Sequence, residues 1–138
     1  MVLSIRILTP FRVICSTKAD EAILPSETGV VGVLEGHATL VTNLDEAGLM
    51  RMRVDGKWIP IILFGGGLAE IDRDRVTVLV TEVEELTYVD RQEAEKEVEK
   101  MTLIVQNAET SKERLDATLD LKLAKARLEA ADYLTKSE

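Results

Sequence analysis

The sequence predicts an α+β fold: an N-terminal antiparallel β-sandwich, or flattened barrel, over residues 1–88, then a C-terminal antiparallel two-helix hairpin over 89–138. Three observations predict it. Short apolar runs of period two fill the first part, as half-buried strands require. A glycine-rich stretch from Ile23 to Gly48 must turn on itself several times. Near Val89 the apolar period lengthens to about 3.6 residues, the repeat of an amphipathic helix.

Leu3, Ile5 and Ile7 alternate with polar residues in a first strand. Thr9-Pro10 turns the chain, and Phe11, Val13 and Cys15 repeat the alternation in a second. Between Ile23 and Gly48 lie Gly29, Gly32, Gly36, Pro25 and the only histidine, His37. The apolar pairs among them are too short and too branched for helix, so the reading is compact β structure with a surface loop at Glu27 to Val31. Leu49 to Val54 and Trp58 to Phe64 form a hairpin about Asp55-Gly56, a pair that tolerates the positive φ of a type I′ turn. Pro60 has no N–H for a ladder, which puts it at an edge or a bulge.

Gly65-Gly66-Gly67 precedes Leu68 to Ile71, which reads as a strand and not as the helix a phosphate-binding loop would open. A bulge or a close backbone approach accounts for these glycines better. Asp72-Arg73-Asp74 then turns the chain into a strand over Val76 to Val80.

Asp90 is placed to cap the first helix, with Glu93 in its first turn. Ala94, Val98, Met101, Val105 and Ala108 form one apolar stripe. Thr110-Ser111-Lys112-Glu113 is a second capping box, and Ala117, Leu121, Ala124, Leu128 and Ala131 form the stripe that follows. The first helix is mostly acidic. The second carries Lys112, Arg114, Lys122, Lys125 and Arg127, a basic strip that reads either as a solvated face or as a docking surface for an acidic partner.

Composition narrows the function. A content of 46% apolar but 4% aromatic residues predicts an aliphatic core. A net charge of −8 argues against nucleic acid and against attraction to an anionic membrane surface, leaving protein as the partner. No apolar run approaches the roughly 20 residues of a membrane span, and the first residues resemble neither a signal nor a transit peptide. No direct membrane insertion is expected. Cys15 is alone, so it forms no internal disulfide and reads as a small buried residue. His37 has no second ligand or catalytic partner nearby in sequence, so neither a metal site nor a triad is expected.

ILPSETGVVGVLEGHATLVTNLDEAG resembles the ILP-x-x-x-G-x-x-G-V-L-x-x-H-A-P-L signature of the epsilon subunits of F-type ATP synthases. GGGLAEIDRDRVTVLVTE resembles their next segment, and Val89 to Ala94 is similar to the I-D-x-Q-E-A that opens the hairpin in chloroplast and cyanobacterial members. The order of the matches covers essentially the whole chain. The resemblance implies a non-catalytic central-stalk subunit that binds the gamma subunit and the c-ring, couples rotation to ATP synthesis and restrains ATP hydrolysis through its hairpin. It implies a c-ring-facing loop at Glu27, Thr28, Gly29, Val30 and Val31, and a gamma-facing surface at His37, Ala38, Leu40 and Thr42. The basic strip would meet an acidic loop of the catalytic beta subunit.

The sequence departs from the family at Thr39, where proline is usual, and at Gly67, where phenylalanine is common. The run from His37 to Gly48 is one residue longer, which predicts a bulge. Some bacterial members bind ATP through an I-D-x-x-R-A pattern; Glu93 stands at that arginine and would repel a triphosphate, so no cofactor is expected. The resemblance places the protein on the stromal face of the thylakoid membrane, or on the cytoplasmic face of a cyanobacterial thylakoid or bacterial inner membrane. The alternatives are a generic adaptor of sandwich plus hairpin, or a small enzyme with a site in the sandwich.

Overall fold

The computed structural model describes residues 2–134. Eight strands are followed by two helices: β1 Leu3–Leu8, β2 Val13–Ala19, β3 Glu21–Ser26, β4 Gly29–Val33, β5 Leu40–Asn43, β6 Ala47–Val54, β7 Lys57–Asp72, β8 Arg75–Glu85, α1 Arg91–Gln106 and α2 Ser111–Leu134. Positions 135–138 of the expected hairpin lie outside the described residues.

The strands run in the order β2-β1-β8-β7-β6-β3-β4, and β5 pairs with β7. Neighbours are antiparallel except β1 and β8, which pair in parallel from Ser4↔Arg75 to Leu8↔Leu79. Alternation works as the period predicts: Leu3, Ile5 and Ile7 are fully buried between exposed Ser4 and Arg6. The core joins these to Leu24, Met50, Leu63, Ile71, Val76 and Val78, aliphatic side chains from strands at both ends of the path. The sheet therefore curls over itself into the expected sandwich.

β7 is one strand of 16 residues where the sequence suggested two flanking the glycines. Its neighbour on one side changes from β6, paired with Lys57 to Phe64, to β5, paired with Leu68 to Ile71. The change happens at the glycines. Between Phe64↔Glu82 and Gly67↔Val80, the two residues Gly65 and Gly66 oppose Thr81 alone. Both have positive φ, 87° and 82°, and the Thr81 hydroxyl donates to their carbonyls at 3.0 and 3.2 Å. Gly67 is there for space: a Cβ would lie 2.0 Å from the Leu79 carbonyl oxygen. The glycines are a bulge at the corner of the sandwich.

Other expectations shift slightly. Phe11 lies outside β2, at the tip of a turn held by the Thr9 hydroxyl, and is 91% exposed. The expected loop Glu27 to Val31 is narrower, with Glu27 and Thr28 alone forming the turn and Gly29 opening β4. Pro60 lies one residue beyond the last β8 pair, Ile61↔Glu85, where β7 has no partner on that side.

Both helices begin where the caps predict. The Asp90 carboxylate accepts from the N–H groups of Gln92 and Glu93. The Thr110 hydroxyl accepts from the N–H of Glu113, whose carboxylate reaches back to the N–H of Glu109. The stripe of α1 is buried or half-buried against α2. α2 has two covered faces. One holds Ala117, Ala124 and Ala131 toward α1; the other, Leu123, Ala126, Ala130 and Tyr133, packs on the outer surface of β6 and β7 against Leu49, Ile62 and Phe64. The sequence stripe found only the first of these.

Candidate functional site: the hairpin seat and the sandwich tip

Three surfaces hold the residues singled out by sequence. At the Glu27-Thr28 turn, the buried Ser26 hydroxyl donates to the Gly29 carbonyl at 2.6 Å and accepts from the N–H of Thr28. The Glu27 N–H donates to the Asn43 carbonyl at 3.0 Å, and the Asn43 amide reaches the Glu27 carboxylate at 3.4 Å. These bonds tie the tip to the end of β5. Val30 projects from it, 70% exposed, while Val31 turns in against the core.

The second surface, His37 to Thr42, is split by strand register. Leu40 and Thr42 pair with the buried Ile71 and Ala69, so they lie on the core-facing side of β5 and are half-buried. Val41 and Asn43 point outward beside Glu70 and Leu68. Val41, Leu68 and Leu79 are exposed on this outer face of β5, β7 and β8, beside Asn43 and Glu70. The His37 ring Nδ1 lies 2.6 Å from the Ala38 carbonyl oxygen, and the Gly36 N–H donates to Asp74 at 2.7 Å. Ala38 is exposed. The sequence assignment followed motif position and so named the two inward residues.

The basic residues of α2 do not form one strip. On a repeat of about 100° per residue, Lys125 and Arg127 stand roughly 160° apart around the helix. Lys122 and Arg127 are occupied by the sandwich: Lys122 reaches Asp45 at 3.1 Å, and the Arg127 fork grips both oxygens of Glu84 at 2.8 and 2.7 Å. Glu84 stands beside Ile62 in the ladder, on the apolar floor where α2 sits. Its carboxyl is held below the usual range chiefly by the Arg127 hydrogen bonds, against a smaller opposing effect of burial. Lys112, Arg114 and Lys125 are exposed, and among the described residues they form no ion pair.

A third anchor went unseen in the sequence. Arg51, on the outer side of β6, donates to Glu129 at 3.1 Å and to the Tyr133 hydroxyl, and its side chain is only 15% exposed. Arg91 of α1 closes the hairpin base on Asp132 at 2.5 Å. The alternation of Met50 and Met52 with Arg51 and Arg53 marked the outer face of β6 in the sequence; nothing local marked what covers it.

This arrangement offers docking chemistry: exposed aliphatic side chains on the sheet, a hydrogen-bonded tip carrying Glu27, and a helix with three cations that form no ion pair among the described residues. Among the described residues no helix is long and apolar enough to cross a membrane. Residues 2–86 match the family described as ATP synthase, delta/epsilon chain, β-sandwich domain. The chain is 65% identical over 135 residues to the chloroplastic ATP synthase epsilon chain of Phaeodactylum tricornutum, covering 98% of this chain and 100% of that one. The chloroplastic epsilon chain of Thalassiosira pseudonana is 64% identical over the same shares. In three dimensions the fold is similar to a chain of the Euglena gracilis mitochondrial ATP synthase, in a structure of OSCP/F1/c-ring in rotational state 1. That likeness has a TM-score of 0.76 at 21% identity and covers 94% of this chain and 81% of that chain.

Proposed function

The chain belongs to the ATP synthase epsilon chains, and on that premise we propose that it is a non-catalytic subunit of the central stalk, joining the gamma subunit to the c-ring. It transmits ring rotation to the catalytic head, and its hairpin restrains ATP hydrolysis. The Glu27-Thr28 tip with Val30 faces the ring. The outer face around Val41, with Ala38 and His37, faces gamma. Lys112, Arg114 and Lys125, joined by Lys122 and Arg127 once the hairpin leaves its seat, meet an acidic loop of the catalytic beta subunit. The protein works at the stromal face of the thylakoid membrane, held there through the ring.

The observation that carries the reading is the separateness of the two cores. The sandwich core contains no hairpin residue, and the seat beneath α2 is a separate cluster of Leu49, Ile62, Ala126 and Ala130 with Phe64, Leu86, Val89, Leu123 and Tyr133 around it. Such a hairpin can leave without unfolding what it leaves behind. A shift between docked and extended states then needs a differential affinity of only a few kcal/mol.

The test is ATP hydrolysis by a catalytic head that contains gamma but lacks its epsilon chain, with the full chain or with a chain truncated after Tyr88. Binding by both, with stronger inhibition by the full chain, is expected. Binding without a difference in inhibition would remove the regulatory part, and no binding would remove the stalk assignment.

A further inference from the structure

We propose that Glu84 and Asp45 of the sandwich are an internal competitor for the acidic partner of α2, holding Arg127 and Lys122 out of reach while the hairpin is seated. The inference rests on the stalk-and-inhibition reading above and adds what sets the balance between its two states.

Charge acts on this seat beside apolar contact. Leu49, Ile62, Ala126 and Ala130 are buried there, with Phe64, Leu86, Val89, Leu123 and Tyr133 packed half-buried around them, and the ion pairs set where on the sheet α2 comes to rest. The Arg127–Glu84 contact is bidentate, the geometry in which guanidinium and carboxylate bind best, and the Glu84 side chain is only 29% exposed. Lys122–Asp45 is more open, with side chains 40% and 35% exposed, and Arg127 is itself 40% exposed. The two carboxylates come from different places, the end of β8 and the turn before β6, and engage cations five residues apart on α2. A single cation cannot serve both an internal and an external carboxylate with this geometry. Seating and partner binding by α2 therefore exclude one another, and the acidic pair on the sandwich sets the threshold that a partner must exceed.

The experiment uses the full chain with Glu84→Gln and Asp45→Asn, which keep side-chain size. Seating is read in the isolated protein by amide hydrogen exchange along α1 and α2 and by fluorescence of Trp58, the only tryptophan. Roughly a tenfold rise in the unseated fraction is expected, since each lost pair is partly sheltered and charge-assisted. In the same head used above, the double variant inhibits hydrolysis more strongly than the parent. The swapped pair Glu84→Arg with Arg127→Glu restores seating but inhibits more weakly than the parent, because it no longer presents a cation at 127. Unchanged exchange in the double variant would overturn the competitor. So would raised exchange with inhibition no stronger than a parent chain that does inhibit. A parent chain that does not inhibit at all would instead overturn the functional reading on which the inference stands.

Discussion

Tyr133 stands edge-on to Trp58, with ring centroids 6.2 Å apart and planes at 64°, and its hydroxyl accepts from Arg51 beneath it. The last turns of α2 thus meet the Trp58 ring on one side and a sheltered guanidinium on the other; the Arg51 guanidinium carbon also lies 5.1 Å from the Tyr133 centroid. Tyr133→Phe keeps the ring contact and removes the acceptor. We expect seating of the hairpin to weaken by about 1 kcal/mol, the scale of one hydrogen bond to a charged group at a partly wet site. Trp58 emission should shift toward that of the truncated chain as temperature rises, at a lower midpoint than in the parent. An unchanged midpoint would mean that Glu129 alone satisfies Arg51.

The corner bulge predicts an ordering among three adjacent glycines. At Gly67 an added Cβ meets the Leu79 backbone at 2.0 Å, and neither strand can give way cheaply. Gly67→Ala should cost about 3 kcal/mol or more, in the range of severe overpacking. At Gly66 nothing lies within 4 Å, and only the φ of 82° opposes a side chain, so Gly66→Ala should cost about 1 kcal/mol. Urea unfolding of both variants checks the order; equal losses would show that the bulge rearranges.

The register of β5 predicts which residues act on stability and which on binding. Leu40 packs against the core, so Leu40→Ala should lose about 1–2 kcal/mol of unfolding free energy. Val41 is 60% exposed, so Val41→Asp should change stability by less than about 1 kcal/mol. The same charge placed opposite Glu70, among exposed Leu68 and Leu79, should weaken binding to a gamma-containing head at least tenfold, by the cost of burying a second, like-charged carboxylate. A Val41→Asp chain that bound like the parent would move the gamma surface elsewhere.

The sequence was legible where the controlling physics is local. Asp55-Gly56 turns as expected, with φ of 51° and 78°, and Asp90 and Thr110 cap their helices, because each depends on residues within a few positions. The bulge at Gly65 to Gly67 was readable from glycines without a helix after them. What sequence pattern missed is non-local. Lys122 finds Asp45 across 77 positions and Arg127 finds Glu84 across 43. The second buried face of α2 was hidden by its alanines, which mark a close approach without saying on how many sides. At β5 the motif named Leu40 and Thr42, and the strand alternation turns these two toward the core and Val41 outward, which motif position alone does not show.

Acid should release the hairpin before it unfolds the sandwich. The Glu84 carboxyl is held below its ordinary range chiefly by the Arg127 hydrogen bonds, so its contribution to seating is fully present above the ordinary glutamate range. It is lost as pH falls through the depressed folded value. The fully buried residues of the sandwich core are all apolar, so acid finds no group to protonate among them. The Trp58 signal and amide exchange of α2 should therefore be flat from about pH 8 to 6 and change in an acid step, while exchange in β1 and β8 stays slow. In Glu84→Gln the step should shrink, because a neutral amide binds no proton there. An acid step of the same size in that variant would show that protonation of Glu84 is not what releases the hairpin.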